Sequence, residues 1–464
     1  MAKASTVGEL RATGYRPRTV KQELRDNLIA RLQRGEALFP GIIGYEDTVI
    51  PQLENALLSG HDVVFLGERG QAKTRLARLL VGLLDEEVPA LAGSEINDDP
   101  LAPISPAGRA LLDEKGDAAP VAWLPRDRRY GEKLATPDIT IADLIGEVDP
   151  IKVAEGRYLS DELTIHYGLL PRTHRGIFAL NELPDLAERI QVGLLNIMEE
   201  RDVQIRGYKV RLPLDLFVVA SANPEDYTNR GRIITPLKDR FGSQIRTHYP
   251  RRLDDEIAIM DAERTRFPAD GVETASPQFM KLVVAELTHQ ARRSSEISQR
   301  SGVSVRVSIS NWENVLSNAL RRALRHGEDQ AAPRVSDLSA VVASTAGKIE
   351  LEAAPDTSED KVLGKLVQRA VLNVFKRSFS DGELDEVVTA FQGGLTVEAS
   401  DDMPSREYLR QVGPVHALQA AATRLGASDP ASVAAAVEFV LEGLHLSKKL
   451  NKDQRPGQNA RYRS

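Results

Sequence analysis

The sequence predicts an α/β fold: a parallel sheet covered by helices, followed by an α-helical lid and a C-terminal helical region. Two observations carry this expectation. Short apolar strand candidates, Asp62–Gly67, Gly176–Leu180 and Leu214–Ala220, are interleaved with helical patterns in the first half of the chain. Apolar runs of that kind are buried on both faces, as in parallel sheets sandwiched by helices. After Arg251 the strand signals nearly vanish, and helices are expected at Asp254–Arg264, Gln278–Arg293, Ile309–Arg325 and Val335–Ile349.

In chain order, residues 1–38 form a charged segment in which Leu24, Leu28 and Leu32, four apart, share one helix face. A turn-rich stretch from Phe39 to Gly44 precedes a helix expected over Asp47–Leu58, and the first strand runs into a glycine turn and a helix expected over Lys73–Leu84. Glu86–Thr136 is rich in Pro, Gly and Asp and too long for a bare loop, so it holds small elements of its own or is a functional insertion. An amphipathic helix, Leu186–Glu200, separates the second and third strands, and Val203–Leu212 alternates around Gly207 like a hairpin. Residues 39–250 are therefore read as the core and 251–352 as the lid. Ala353–Ser358 reads as a linker into a helical region, 353–450, broken at Gly393-Gly394 and Asp401–Pro404. The polar tail, 451–464, is expected to be disordered and basic.

Composition narrows the function. The 464 residues are 42% hydrophobic and 27% charged, an ordinary globular balance, and only 5% aromatic, so the core must be aliphatic. Without cysteine there is neither disulfide nor thiol nucleophile. Sixty basic against 67 acidic residues leave a net charge of -7, which is no footprint for wholesale nucleic-acid binding. No apolar run is long enough to span a membrane, and the charged N-terminus lacks a signal-like apolar region, so a cytoplasmic protein is expected.

Gly67-Glu68-Arg69-Gly70-Gln71-Ala72-Lys73-Thr74 stands between a predicted strand and a predicted helix, the setting of a phosphate-binding loop. Glycines let successive backbone N–H groups turn onto phosphate oxygens, a Lys reaches the outer phosphates, and a hydroxyl ligates Mg²⁺. Lys73 and Thr74 fill the last two roles. Ala72 replaces the usual Gly, which is tolerable if that residue has helical dihedrals. The strand Ile177–Leu180 ends in Asn181-Glu182, where an acidic pair is usual. Glu182 can polarise a water, whereas Asn181 on the metal side accepts hydrogen bonds but brings no charge. Asn223 follows the third strand, and Arg240 lies in Leu237-Lys238-Asp239-Arg240-Phe241.

In this order, and with Gly302-Val303-Ser304-Val305-Arg306 downstream, these residues resemble an AAA+ ATPase of the magnesium chelatase subunit I and MoxR-type branch. Tyr167–Ile177 is especially similar to the stretch before the acidic strand in chelatase subunits. The resemblance covers about Phe39 to Ile349. It implies a P-loop AAA+ core that binds ATP and Mg²⁺, with Gly67, Gly70, Gln71, Ala72, Lys73 and Thr74 cradling phosphate, and Thr74 and Asn181 on the metal side. Ile43 and Gly44, within Gly41–Gly44, would line the adenine pocket. Glu182 would activate water, Asn223 would act as first sensor, Arg240 as a finger reaching a neighbouring subunit, and Arg306 as second sensor. A finger supplied in trans implies a ring, expected to be a hexamer. The family's helix-2 insertion would fall near Asp143–Leu163, and Arg206, Tyr208 and Lys209 would sit at the tip of the second hairpin.

The activity so implied is an ATP-driven motor that remodels a partner protein carrying a von Willebrand factor A domain. Two alternatives stay open: the ATPase subunit of a true magnesium chelatase, and a nucleotide-switched scaffold with little hydrolysis, for which Asn181 speaks. The eight His residues are scattered and suggest no porphyrin site. No Gly-Ala-Phe-Thr-Gly-Ala string occurs, which argues against a sigma-54 activator.

Overall fold

The computed structural model describes residues 3–148, 165–200, 202–204, 211–223, 232–267, 271–299, 302–352, 358–413, 415–453 and 459–464. They fall into two compact units, Met1–His248 and Tyr249–Ser464.

The first unit is built on a parallel sheet of five strands: β1 (Val63–Leu66), β4 (Tyr130–Leu134), β7 (Gly176–Asn181), β10 (Leu216–Ala222) and β11 (Ser243–Arg246). Their order across the sheet is β11-β1-β10-β7-β4. Because side chains alternate along a strand, neighbouring residues feed opposite faces. Val64, Phe178, Leu180, Val218 and Ala220 join one core, and Val63, Phe65, Ile177, Ala179, Phe217 and Val219 join the other. Each such fully buried aliphatic or aromatic side chain stabilises the fold by about 1.5–3 kcal/mol relative to exposure. The sheet order makes β1 and β10 neighbours although the chain visits β4 and β7 between them. In open parallel sheets, ligands bind beyond the carboxyl ends of the strands at such a switch point.

The expected strands and the helices at Val49–Leu58 and Glu188–Glu200 are present. The helix after the glycine loop is shorter than expected: α-helical geometry holds over Lys73–Leu79 and tightens to a 3-10 turn at Leu80–Leu83. The Pro- and Gly-rich stretch does hold elements of its own, a β2–β3 pair (Glu87–Leu91 with Val121–Pro125) and a helix at Pro106–Lys115. It also supplies β4, the edge strand of the main sheet, which the sequence pattern did not mark.

Residues 1–38 are not a separate segment. The helix Val20–Gln33, started by a capping box between Thr19 and Gln22, buries Val20, Leu24 and Leu28 in the same core as β1. Leu32 is 40% exposed and leaves the expected face. Buried Glu23 of that helix holds buried Arg129 through two hydrogen bonds, to Nη1 at 2.7 Å and to Nη2 at 2.5 Å. At the expected insertion, β5 (Gly146–Val148) pairs antiparallel with β6 (Ile165–Tyr167). In the second hairpin, β8 (Asp202–Gln204) pairs with β9 (Arg211–Pro213). Residues 149–164 and the tip with Arg206, Tyr208 and Lys209 lie outside the described residues.

The second unit is mainly helical, with helices at Leu253–Glu263, Gln278–Arg293, Val305–His326, Glu359–Ser378 and Pro430–Leu446. The last predicted lid helix is instead a 3-10 turn, Ser336–Ala340, followed by a short helix, Val341–Thr345. Lid and C-terminal region share one core, in which Met280, Val283, Val371, Val374, Phe439 and Val440 are buried together. Buried hydrogen bonds bind them further. Arg334 donates to Met403 O and Ser405 Oγ, and Glu438 accepts from Ser336 N and Tyr408 Oη. Burial raises the Glu438 carboxyl above its ordinary value, and the Arg334 charge opposes the shift.

The polar tail departs most from expectation. Asn451–Asp453 (β15) and Ala460–Arg463 (β16) form an antiparallel sheet with Val397–Ala399 (β14). Tyr462, opposite Val397, is 1% exposed, so one aromatic among polar residues anchors the chain end. Among the described residues no helix is long and apolar enough to cross a membrane.

Candidate functional site

Three neighbouring strands of the first unit end at one place. β1 leads into the loop Gly67–Thr74, β7 ends at Asn181 with Glu182 next, and β10 ends at Ala222 with Asn223 next. The loop is tightly tied. Gln71 Oε1 accepts from Glu68 N at 3.0 Å and from Thr247 Oγ1 at 2.7 Å. A Cβ on Gly67 would collide with Thr247 Oγ1 and Gln71 Oε1, so only glycine fits there. Gly70 has φ 76° and Ala72 φ 55°, ψ 16°. Ala72 is therefore left-handed and not helical, as its substitution for Gly had suggested it should be. For a residue with a Cβ that geometry costs roughly 1–2 kcal/mol.

Lys73 is buried and fully engaged. Its Nζ donates to the carbonyls of Gly67 and Glu68 and, at 2.8 Å, to Asn223 Oδ1. The amide of Asn223 in turn donates from Nδ2 to Glu182 Oε2 at 2.9 Å. Lys73, Asn223 and Glu182 thus form one chain of hydrogen bonds that joins the three strand ends. Glu182 also has left-handed backbone, φ 56° and ψ 47°, a strained placement of the kind that clusters at functional sites.

Thr74 and Asn181 lie side by side, with Thr74 Oγ1 donating to Asn181 Oδ1 at 3.3 Å. Ser221 Oγ donates to the same oxygen at 3.2 Å. Asn181 Nδ2 donates to Glu132 Oε1 at 2.9 Å, a contact the sequence reading missed. Glu132 lies on β4, and its carboxylate is gripped by Arg78 through Nε and Nη2, each at 2.8 Å, and by Tyr130 Oη at 3.0 Å. The Arg78 hydrogen bonds hold the Glu132 carboxyl below its ordinary value against a smaller opposing effect of burial. Nothing in Tyr130-Gly131-Glu132-Lys133-Leu134 marks it locally as a site strand.

The turn holding Ile43 and Gly44 stands beside the loop. Tyr45 Oη lies 2.9 Å from Gln71 O and 2.8 Å from His248 O, and burial pushes its phenol up to about 12. A Cβ on Gly41 would strike the Arg75 guanidinium, so this turn packs directly on the helix that follows the loop.

The two expected arginines have surroundings of their own. Arg240, the last residue of the helix Thr235–Arg240, pairs with Glu199 of the helix Glu188–Glu200 and with its neighbour Asp239. Arg306 belongs to the second unit, exposed on the first turn of Val305–His326, with Ser304 Oγ accepting its backbone N–H at 3.1 Å. Among the described residues no group of three His, Asp or Glu side chains could hold a metal ion. The oxygens near the loop, a hydroxyl and an amide carbonyl, are hard donors of the type Mg²⁺ takes when it keeps most of its waters.

No family model matches the chain. It is 25% identical over 147 residues to the uncharacterized protein YeaC of Bacillus subtilis (strain 168), covering 32% of this chain and 42% of that protein. The match thus spans less than half the length of that relative. Among solved structures, the complex of magnesium chelatase subunits BchI and BchD is 19% identical with a TM-score of 0.36, covering 70% of this chain and 98% of that one. Hsp104, solved with ATPγS and casein, is 13% identical with a TM-score of 0.41, over 75% of this chain and 55% of that one. NtrX from Brucella abortus, solved with ADP, is 14% identical with a TM-score of 0.35, over 85% and 72%. Overlap this loose says nothing of activity.

Proposed function

We propose that the chain is an ATP-binding and ATP-hydrolysing motor of the AAA+ type that assembles into a ring. The observation that carries this reading is the hydrogen-bond chain from Lys73 through Asn223 to Glu182 at the mouth of the glycine loop. It links a phosphate-binding cation, a polar amide and a carboxylate on three adjacent strand ends. In the nucleotide complex Lys73 would exchange its carbonyl partners for phosphate oxygens, a charge-assisted and stronger contact. Asn223 and Glu182 would then hold the attacking water, with Glu182 accepting its proton as the bond between the β-γ bridging oxygen and the γ-phosphorus breaks. Thr74 and Asn181 would face Mg²⁺, which supplies charge neutralisation for the phosphates. Arg240, released from Glu199, would reach the site of a neighbouring subunit. By the family resemblance the ring is a hexamer and its client a protein with a von Willebrand factor A domain. Service as the ATPase subunit of a true magnesium chelatase is a narrower form of the same reading.

A second reading, a nucleotide-switched scaffold, is favoured by one observation: Asn181 brings no charge to the metal side. Steady-state ATP hydrolysis with Mg²⁺ separates the two. For the motor, turnover per chain rises with protein concentration. Glu182→Gln still binds ATP but turns over at least about 100-fold more slowly. Arg240→Ala loses about 1,000-fold. Tight ATP binding without turnover at any concentration would favour the scaffold, and undiminished binding by Lys73→Ala would sink both.

A further inference from the structure

Asn181 is an amide, and an amide can present either its oxygen or its nitrogen to a given neighbour. Which end faces the loop is decided by the groups around it. Glu132 is only an acceptor, so Asn181 must turn Nδ2 toward it, and that contact is 2.9 Å long. Oδ1 then points the other way, where it accepts from Thr74 Oγ1 at 3.3 Å and Ser221 Oγ at 3.2 Å. Ser221 agrees with this polarity: its Oγ accepts the Glu182 N–H at 3.3 Å, leaving its own hydrogen for Asn181. Glu132 is itself immobilised by the two-pronged Arg78 contact and by Tyr130 Oη.

We propose that Glu132 is a positioning residue for Mg²⁺ at this site: it fixes the Asn181 amide with the oxygen facing Thr74 and the metal side. The inference rests on the nucleotide-binding reading above and explains how an asparagine serves there. A flipped amide would aim two N–H hydrogens at the cation and repel it. A carboxylate at that position would need no such orientation, since its two oxygens are equivalent. The asparagine and the glutamate behind it therefore act as one unit, with the charge placed a residue further from the metal.

The test is the ratio of nucleotide affinities measured with Mg²⁺ and with a chelator, using a fluorescent ATP analogue and the full chain. This equilibrium readout is independent of turnover. In the intact chain Mg²⁺ tightens binding. Glu132→Ala keeps its Mg²⁺-free affinity and loses roughly tenfold or more of the Mg²⁺ enhancement, the usual effect of removing an outer-shell partner. Adding Asn181→Asp to Glu132→Ala restores the enhancement, because the carboxylate needs no anchor. An unchanged enhancement in Glu132→Ala overturns the proposal, as does failure of the double variant to recover it, which would mean that β4 had merely been disturbed. If the intact chain binds nucleotide equally well with and without Mg²⁺, this inference fails while the phosphate-loop reading survives. If it binds no nucleotide, both fall.

Discussion

Ala72 carries a left-handed backbone, φ 55° and ψ 16°, at the last position before Lys73. The loop imposes that geometry through its ties to Thr247 and Tyr45, and no side-chain preference can be read against it from sequence. His174 is similarly decided by its surroundings. It is buried, its Nδ1 accepts the Asp215 N–H at 2.9 Å, and burial, reinforced by the Arg175 charge, depresses its imidazole to about 3. It is therefore neutral when folded, while an unfolded His titrates near 6.5. Its contribution to stability is complete above about pH 6.5 and lost progressively as pH falls toward 3. At about pH 5 the loss reaches about 2 kcal/mol. Urea denaturation of the intact chain and of His174→Asn should show a lower stability of the variant near neutrality and a shallower decline on acidification. An equally steep decline in the variant would assign the acid sensitivity elsewhere.

At the scale of elements, the chain end is the clearest case. Residues 451–464 look like a solubilising tail because charge and polarity dominate their composition. Yet Tyr462 closes over Val397, and buried Glu442 takes hydrogen bonds from Tyr462 Oη and, at 2.8 Å, from Lys452 Nζ. A chain stopped after Leu450 loses both partners of that carboxylate and bares the β14 edge. It should be less stable by about 3 kcal/mol, seen as a lower melting temperature with the helical content kept. A melting temperature equal to that of the full chain would return the tail to the role of a solubilising appendage. β4 makes the same point in the core: its residues are Tyr, Gly, Glu, Lys and Leu, and only pairing with β7 makes them a sheet strand.

For the whole molecule, each of the two units has a core of its own. The clusters around the sheet lie within Met1–His248, and the large helical one lies within Tyr249–Ser464. The lid and the C-terminal helices were expected to be distinct, but buried Arg334, Asp337 and Glu438 contacts and a shared core make them one body. Expressed alone, residues 249–464 should therefore be helical and unfold in a single cooperative transition. Coincident circular dichroism and fluorescence melts would meet that expectation, and a broad, non-cooperative melt would show that the first unit is needed for folding.

The legible parts of this protein were those written into local pattern. An apolar run ending in glycines, followed by Lys73-Thr74, announces a strand, a turn and a helix, because backbone preference and burial act over a few neighbouring residues. The same holds for the strands that carry Asn181, Glu182 and Asn223 at their carboxyl ends, and for helices such as Gln278–Arg293. What lay beyond reach was partnership between distant segments. Glu132 meets Asn181 across 49 positions of sequence, and Tyr462 meets Glu442 across 20. Parallel pairing and buried ion networks are satisfied only once the whole chain has closed, so no local periodicity encodes which carboxylate will stand behind which amide.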